Sequence, residues 1–393
     1  MSLSSRSQVS GWVEFAGDRM SGSEGGIVHN PVLDSVRGWA ILLVLMVHCL
    51  AFESGGSKVL MVVNEFARAG WLGVDLFFVL SGYLITSILI STREHSGYFV
   101  NFYARRALRI FPAYYLYLIL AFALLPYAVS GVDGDVLRGW ALSSALYLQN
   151  IHMLVLGSGT PWRGLDHLWS LAIEEHFYLF WPVVVALLPA RRLAHACLTL
   201  IGLAWMVKVA LLLFHDWPLA GYVFMPARMD ALAAGGLIAC LVQRDRPPRS
   251  SSAVFLGCAA LAMLAVLALS NGGLRLSGGL NIALITSAAA VLFAAGLYLI
   301  VTRDFRPWWL HNRALTTLGR YSYGMYLIHI AVIEFFQVPV LGAFKAVLGY
   351  NLASLLSGLA TILLTLALAA LSYHLFEVRF LKLKRHFSSM NRA

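Results

Sequence analysis

Two residues eleven positions apart open the search for chemistry. Arg37 and His48 lie in one apolar run, Asp34-Ser-Val-Arg37-Gly-Trp-Ala-Ile-Leu-Leu-Val-Leu-Met-Val-His48. Eleven residues at about 100° each make about three turns, so a helix would put both on one face, about 16 Å apart along its axis. A guanidinium at one end can hold an anion, and an imidazole at the other can take a proton near neutral pH. The bland alternative is a snorkelling arginine and a structurally bonded histidine.

Other ionisable residues share this setting. Asp75 follows Gly73 in a run that continues to Ser81-Gly82. It also fits a carboxylate at a helix N-terminus, and Ser81-Gly82 fits a small-residue packing contact better than a nucleophile. The segment Asp166-His167-Leu-Trp-Ser170-Leu-Ala-Ile-Glu174-Glu175-His176-Phe-Tyr178 carries two adjacent carboxylates into an apolar stretch. Arg228-Met-Asp230 does the same further on, where Arg228 can neutralise Glu174, Glu175 or Asp75. Arg320 and His329 bracket Ser322 and Tyr326. Asn101-Phe-Tyr-Ala-Arg105-Arg106-Ala-Leu-Arg109-Ile-Phe-Pro112 reads as a loop that ends where Pro112 bends or starts the next span. There Arg105 and Arg109 share a face, with Arg106 beside them. Three guanidiniums can clamp phosphates bidentately, or simply meet lipid headgroups.

The elements that must position these residues are membrane helices. Of the 393 residues 60% are apolar and 12% charged, with mean hydropathy +0.75, whereas soluble domains are about 45–50% apolar and 25% charged. Ten segments are long enough to cross a bilayer, at about 34–53, 71–91, 112–130, 168–188, 196–214, 222–242, 252–270, 280–301, 315–336 and 352–376. The runs do not alternate at period two, which argues against a β-barrel. The expected fold is thus an all-α integral membrane protein, about ten helices in one bundle. The gaps sort by charge: Arg105, Arg106 and Arg109, Arg191 and Arg192, Arg244 and Arg249, and Lys382, Lys384 and Arg385 fall on one side, which the positive-inside rule makes cytoplasmic. Both termini are then expected in the cytoplasm, and the weaker run at 140–156 becomes an outer-face or re-entrant helix.

The formal charge of +10 would suggest nucleic acid in a soluble protein. Here the basic residues sit between spans and set topology, so no nucleic-acid partner is expected. Residues 1–30 read as a disordered cytoplasmic tail without a cleavable signal, 31–380 as the membrane domain and 381–393 as a short basic tail. Cys49, Cys197, Cys240 and Cys258 form no close pair. Neither a disulfide framework nor a cysteine metal site is expected, and no metal or nucleotide-triphosphate motif occurs.

On this topology His48, Asp75, Glu174, Glu175, Arg228 and Asp230 gather in the outer half, suited to activating a hydroxyl. Arg37, Arg105, Arg106, Arg109 and Arg320 gather at the inner face, suited to a phosphate-bearing ligand, and His329 lies between. Six pieces in this order resemble the acyltransferase 3 family of membrane O-acyltransferases: Leu33-Asp34-Ser-Val-Arg37-Gly38 with His48, Gly73-Val-Asp75 through Gly82, Phe102 through Pro112, Trp169 through Tyr178, Arg228-Met-Asp230-Ala-Leu, and Tyr321-Ser322-Tyr-Gly-Met-Tyr326-Leu-Ile-His329. His176 departs from the family, which often has Gln there, and bears on acceptor choice. Some members carry a fused extracytoplasmic hydrolase-like domain; none is expected here.

The resemblance implies transfer of an acyl group, usually acetyl, from cytoplasmic acyl-CoA to a hydroxyl of a surface polysaccharide, lipopolysaccharide, peptidoglycan or macrolide, with no permanently bound cofactor and a sugar or glycolipid as acceptor. The family's essential histidine maps onto His48 and its basic partner onto Arg37. On that footing His48 is the expected general base, and Asp75 or Glu174, with Glu175 beside it, would orient the ring. The inner arginines would hold the CoA phosphates, and Arg228, with Asp230 and His329, would serve the acceptor or the oxyanion. Direct transfer and an acyl-histidine relay both remain open. The competing classes are a proton-coupled transporter, which has no need of the arginine cluster, and a lipid-binding bundle, which has no need of buried carboxylates.

Overall fold

The computed structural model describes residues 30–128, 133–244, 247–302 and 307–387. The tail at 1–30 lies outside the described residues but for Asn30, as does the end of the basic tail from 388 onward. The chain runs as α1 (Pro31–Cys49), α2 (Lys58–Arg68), α3 (Gly73–Thr92), α4 (Tyr98–Ala128), α5 (Gly134–Ala145), α6 (Gln149–Leu156), α7 (Trp169–Leu187), α8 (Ala190–Phe214), α9 (Met225–Val242), α10 (Ser250–Asn271), α11 (Gly279–Val301), α12 (Arg313–Val332), α13 (Val338–Leu348), α14 (Tyr350–Ser372) and α15 (Val378–Leu383). π-helical turns at Ile333–Gln337 and Tyr373–Glu377 carry α12 into α13 and α14 into α15. Among the described residues there is no strand, and 10 helical stretches are long and apolar enough to cross a bilayer. The chain is an all-α membrane bundle.

Local chemistry sets the helix ends. Asn30 accepts from the Val32 amide at 3.0 Å with Pro31 at the first helical position, and Asn312 caps α12 through the Ala314 amide at 2.7 Å. Both are the side-chain caps that orphan amides require. Leu213, Phe214, Phe255 and Leu269 on α8 and α10 stay exposed, as a lipid-facing belt must.

Inside the bundle, α1 packs along α12 and α3 along α9. Glycines permit both crossings. A Cβ on Gly38 would strike the Leu315 carbonyl and one on Gly319 the Asp34 carbonyl; likewise Gly82 meets Leu232 and Gly235 meets Val79. Such close approach is how membrane helices gain contact without a hydrophobic driving force. At the middle of α1, Gly70 and Gly73 press against Leu43 and Ala40.

The segment expected near 140–156 is two short helices. At 1.5 Å per residue α5 and α6 reach about 18 and 12 Å, too short for a bilayer core of about 30 Å. They break at Tyr147, whose φ is 56°. Its ring stacks on Tyr114 at 4.2 Å, while the Tyr114 and Tyr115 hydroxyls donate to the Ser144 and Ala145 carbonyls at 2.7 and 2.9 Å. One sequence expectation is corrected here. The stretch 101–112 is no loop, because α4 starts at Tyr98 and runs helically through Pro112, so its three arginines stand on a rigid helix.

Candidate active site

Helix α1 delivers Arg37 and His48 to two different cavities. His48, in its last turn, lines a cavity of about 440 Å³ with Trp71, Asp166, His167, Tyr222 and Arg275, and its ring is exposed to that space. Its Nδ1–H donates to the Val44 carbonyl one turn back, at 2.8 Å. This bond fixes the tautomer and leaves the lone pair on Nε2. The group that orients His48 is therefore a backbone carbonyl, where the sequence reading expected Asp75 or Glu174.

Two more imidazoles stand behind it. The His329 ring lies 5.0 Å from that of His48 and 4.9 Å from that of His167, centroid to centroid. Each is pinned through one nitrogen to a carbonyl: His329 Nδ1–H to Tyr326 at 2.6 Å and His167 Nε2–H to Leu327 at 3.0 Å. His329 Nε2 and His167 Nδ1 are buried without a protein partner.

The second cavity, about 110 Å³, is lined by Arg37, Arg106, Arg109, Glu174, Glu175 and Tyr178, among others. Ser81 donates to Glu174 Oε1 at 2.7 Å and the Tyr178 hydroxyl to Oε2 at 3.2 Å. Arg37 bonds Asp34 at 2.7 Å, and the Arg106 guanidinium lies 5.9 Å from the Tyr178 ring centroid. Both glutamates thus face the arginines and not the His48 cavity. On α4 it is Arg106 and Arg109 that share this cavity, whereas Arg105, expected on the face of Arg109, turns to a neighbouring groove. Arg320 is exposed and lines neither space. Val74 and Tyr326 line both cavities, so the arginine-lined space and the histidine-lined space abut. At that junction the Tyr326 hydroxyl meets Ser170 Oγ at 2.5 Å.

The remaining predicted residues are drawn elsewhere. Asp75 is fully buried and bonds Arg228 at 2.6 Å. Asp230 bonds Lys208 at 2.6 Å and accepts from Ser287 at 2.8 Å. The Arg228 guanidinium lies between the rings of Phe78 and Tyr222, at 5.5 and 5.2 Å. Asp75, Arg228 and Asp230 line neither cavity. Two carboxylates and two cations, buried in apolar surroundings, thus pair with one another, while Asp75 Oδ2 and Arg228 Nε and Nη1 are buried with no hydrogen-bond partner. The sequence reading of the site passed over Trp71 and Tyr222 and gave no role to Asp166, all three in short helical turns at span entrances, nor to Ser81, which a hydrogen bond ties to Glu174. The Asp166-His167 pair at a span entrance was the one available signal.

The comparisons agree with the resemblance. The profile of the acyltransferase 3 family, described as an acyltransferase domain, matches residues 30–374. A provisionally named peptidoglycan O-acetyltransferase, YrhL, of Bacillus subtilis is 31% identical over 88% of this chain and 54% of its own length. The peptidoglycan O-acetyltransferase OatA of Listeria monocytogenes is 29% identical over 79% and 50%. The O-acetyltransferase OatA of Staphylococcus aureus is 27% identical over 88% and 56%. The chain thus spans about half the length of the curated relatives it matches. No solved structure matches it significantly. With the family profile covering nearly the whole membrane bundle and both cavities inside it, the chain belongs to the acyltransferase 3 family.

Proposed function

We propose that the protein moves an acyl group, acetyl by analogy with the relatives' names, from acyl-CoA in the arginine cavity to a carbohydrate hydroxyl beside His48. The observation that carries this reading is the abutment of the two cavities at Val74 and Tyr326. One is lined by cations that suit phosphates. The other combines an imidazole lone pair with Trp71, Tyr222, Asp166 and Arg275, the mix of flat apolar rings and hydrogen-bonding groups that holds a sugar. Relatives named for peptidoglycan, a sugar polymer, support the same acceptor class.

In this reading Arg37, Arg106 and Arg109 hold donor phosphates, and the slim pantetheine arm reaches toward Tyr326. His48 Nε2 takes the proton of the acceptor hydroxyl as its oxygen attacks the thioester carbonyl carbon. The C–S bond breaks, and the departing CoA thiolate receives the proton back from His48. The arginine face is cytoplasmic and the His48 face is outside, in the cytoplasmic membrane. That division explains why the reaction needs a spanning bundle, since donor and acceptor live on opposite sides.

The test is acetyl transfer by the purified chain in lipid. His48→Ala should remain folded and lose about 10²–10⁴-fold in transfer rate; near-normal transfer would end the assignment. Sidedness is checked by single cysteines. One at Ser96 should resist an impermeant maleimide in intact cells, and one at Ser158 should react; the reverse pattern inverts the orientation.

A further inference from the structure

The segments that join the spans at the His48 end of the bundle carry few lysines and arginines: Lys58, Arg68, Arg138, Arg163, Arg275 and Lys345. Three of these six, Arg68, Arg163 and Arg275, come from three different connections and line the His48 cavity. Topology gives no reason for that convergence, since basic residues gather at the other end. Each guanidinium has a carboxylate partner. Glu65 bonds Arg275 at 2.7 Å and stands 3.5 Å from Arg68, and Glu334 stands 3.7 Å from Arg163. Neither glutamate lines the cavity. These pairs engage one nitrogen of each guanidinium, which has five N–H donors to give. The glutamates therefore hold the arginines in place and leave donors over for a ligand. Among the described residues Asp166 is the single carboxylate in the lining. Its Oδ1 is engaged by the Thr160 amide at 2.7 Å and the Thr160 hydroxyl at 2.5 Å.

We propose that the acceptor is an acidic carbohydrate, held by its carboxylate on the arginines of this cavity, Arg163 and Arg275 foremost, while one of its hydroxyls stands at His48. The inference rests on the acyl-transfer reading above and adds the acceptor's charge to it. A guanidinium fork takes a carboxylate through two parallel hydrogen bonds, a geometry that a neutral hydroxyl cannot return. The rings of Trp71, Trp169 and Tyr222 offer flat faces to a sugar, and Leu274 and Leu276 keep the walls beside Arg275 apolar. Apolar walls strengthen a charge contact that open water would weaken. A neutral sugar would meet the same rings and leave the remaining guanidinium donors to water. The charge of the lining, three cations against one engaged carboxylate, thus selects among acceptors, whereas His48 acts on any hydroxyl brought to it.

The experiment measures acetyl transfer by the full chain, reconstituted in zwitterionic lipid, to a disaccharide containing glucuronic acid and to its carboxamide, which keeps the hydroxyls and loses the charge. The wild-type protein should show a KM about tenfold lower for the acid, the worth of one charge-assisted contact, and the ratio should shrink as salt is raised. Arg163→Gln and Arg275→Gln should each raise the KM of the acid toward that of the amide, and Arg163→Lys should keep part of the preference. The wild-type comparison decides the matter even if a variant fails to fold. Equal KM for acid and amide, or transfer to neutral sugars alone, overturns the proposal and leaves the acyl-transfer reading standing. A chain that acetylates no sugar, acidic or neutral, removes that reading and this inference with it. The same assay in anionic vesicles separates the other source of negative charge. If Arg163→Gln alters transfer only there and ignores the charge of the sugar, the arginines hold a lipid headgroup and the proposal fails.

Discussion

Two clusters of ionisable side chains sit between these helices, and only one opens onto space. Asp75, Arg228, Lys208 and Asp230 close on one another, with 2.6 Å contacts in both pairs, and none of the four lines the arginine cavity or the His48 cavity. Arg37, Arg106, Arg109, Glu174 and Glu175 line a cavity that runs toward His48. By composition the two clusters look alike, and both would be read as functional, because charges in lipid are costly. The closed cluster pairs two carboxylates with two cations and ties α3, α8, α9 and α11 together. The open cluster lines a cavity. What separates the two is room for a ligand beside the charge.

The largest effect is expected at the closed cluster. Asp75→Ala or Arg228→Ala leaves a buried charge without its partner and should destabilise the bundle by about 3–5 kcal/mol, read as a fall in Tm in detergent. The double replacement Asp75→Leu with Arg228→Met should recover most of that loss, since it removes both charges at once. If Asp75→Ala instead melts normally and loses only activity, the closed cluster is part of the reaction after all.

The open cluster should behave oppositely. Arg106→Ala should leave Tm nearly unchanged and raise donor KM about tenfold, the equivalent of about 1.5 kcal/mol in a charge-assisted contact. A change confined to acceptor KM would move the donor out of this cavity. The smallest effect is expected at Ser81→Ala, which removes one of two donors to Glu174. A loss of about 0.5–1.5 kcal/mol in the positioning of that carboxylate should appear as a few-fold fall in kcat/KM at constant Tm. A loss as large as that of His48→Ala would mean Glu174 takes part in the chemistry directly.

Much of the fold was legible because it rests on local signals. Continuous apolar runs announce spans, and the register of Arg37 and His48 follows from helical pitch alone. What was not legible depends on distant partners or on backbone. The partner of Asp75 lies 153 positions away; the sequence offered Arg228 as a neutraliser of Glu174, Glu175 or Asp75, and nothing local singles out Asp75 among the three. The orienting group of His48 is the Val44 carbonyl, which every residue possesses and which therefore has no sequence signature. Pro112 misled because proline more often starts or bends a helix than sits within one. The His48 cavity was hidden because Trp71, Asp166 and Tyr222 stand in short helical turns at the entrances of spans and Arg275 in the connection before α11, where too few residues follow one another for a periodicity to show.

The glycine contacts have a mechanical consequence. Gly70 and Gly73 bring the start of α3 onto the middle of α1, at Leu43 and Ala40, while Gly38 and Gly319 seat α1 on α12 and Gly82 and Gly235 seat α3 on α9. At each crossing a backbone carbonyl of one helix stands where a Cβ of the other would be, so the spans meet main chain to main chain with no side chain between them to yield. A single added methyl group, as in Gly38→Ala, must wedge two spans apart, and the walls that hold Arg37 and His48 would separate with them.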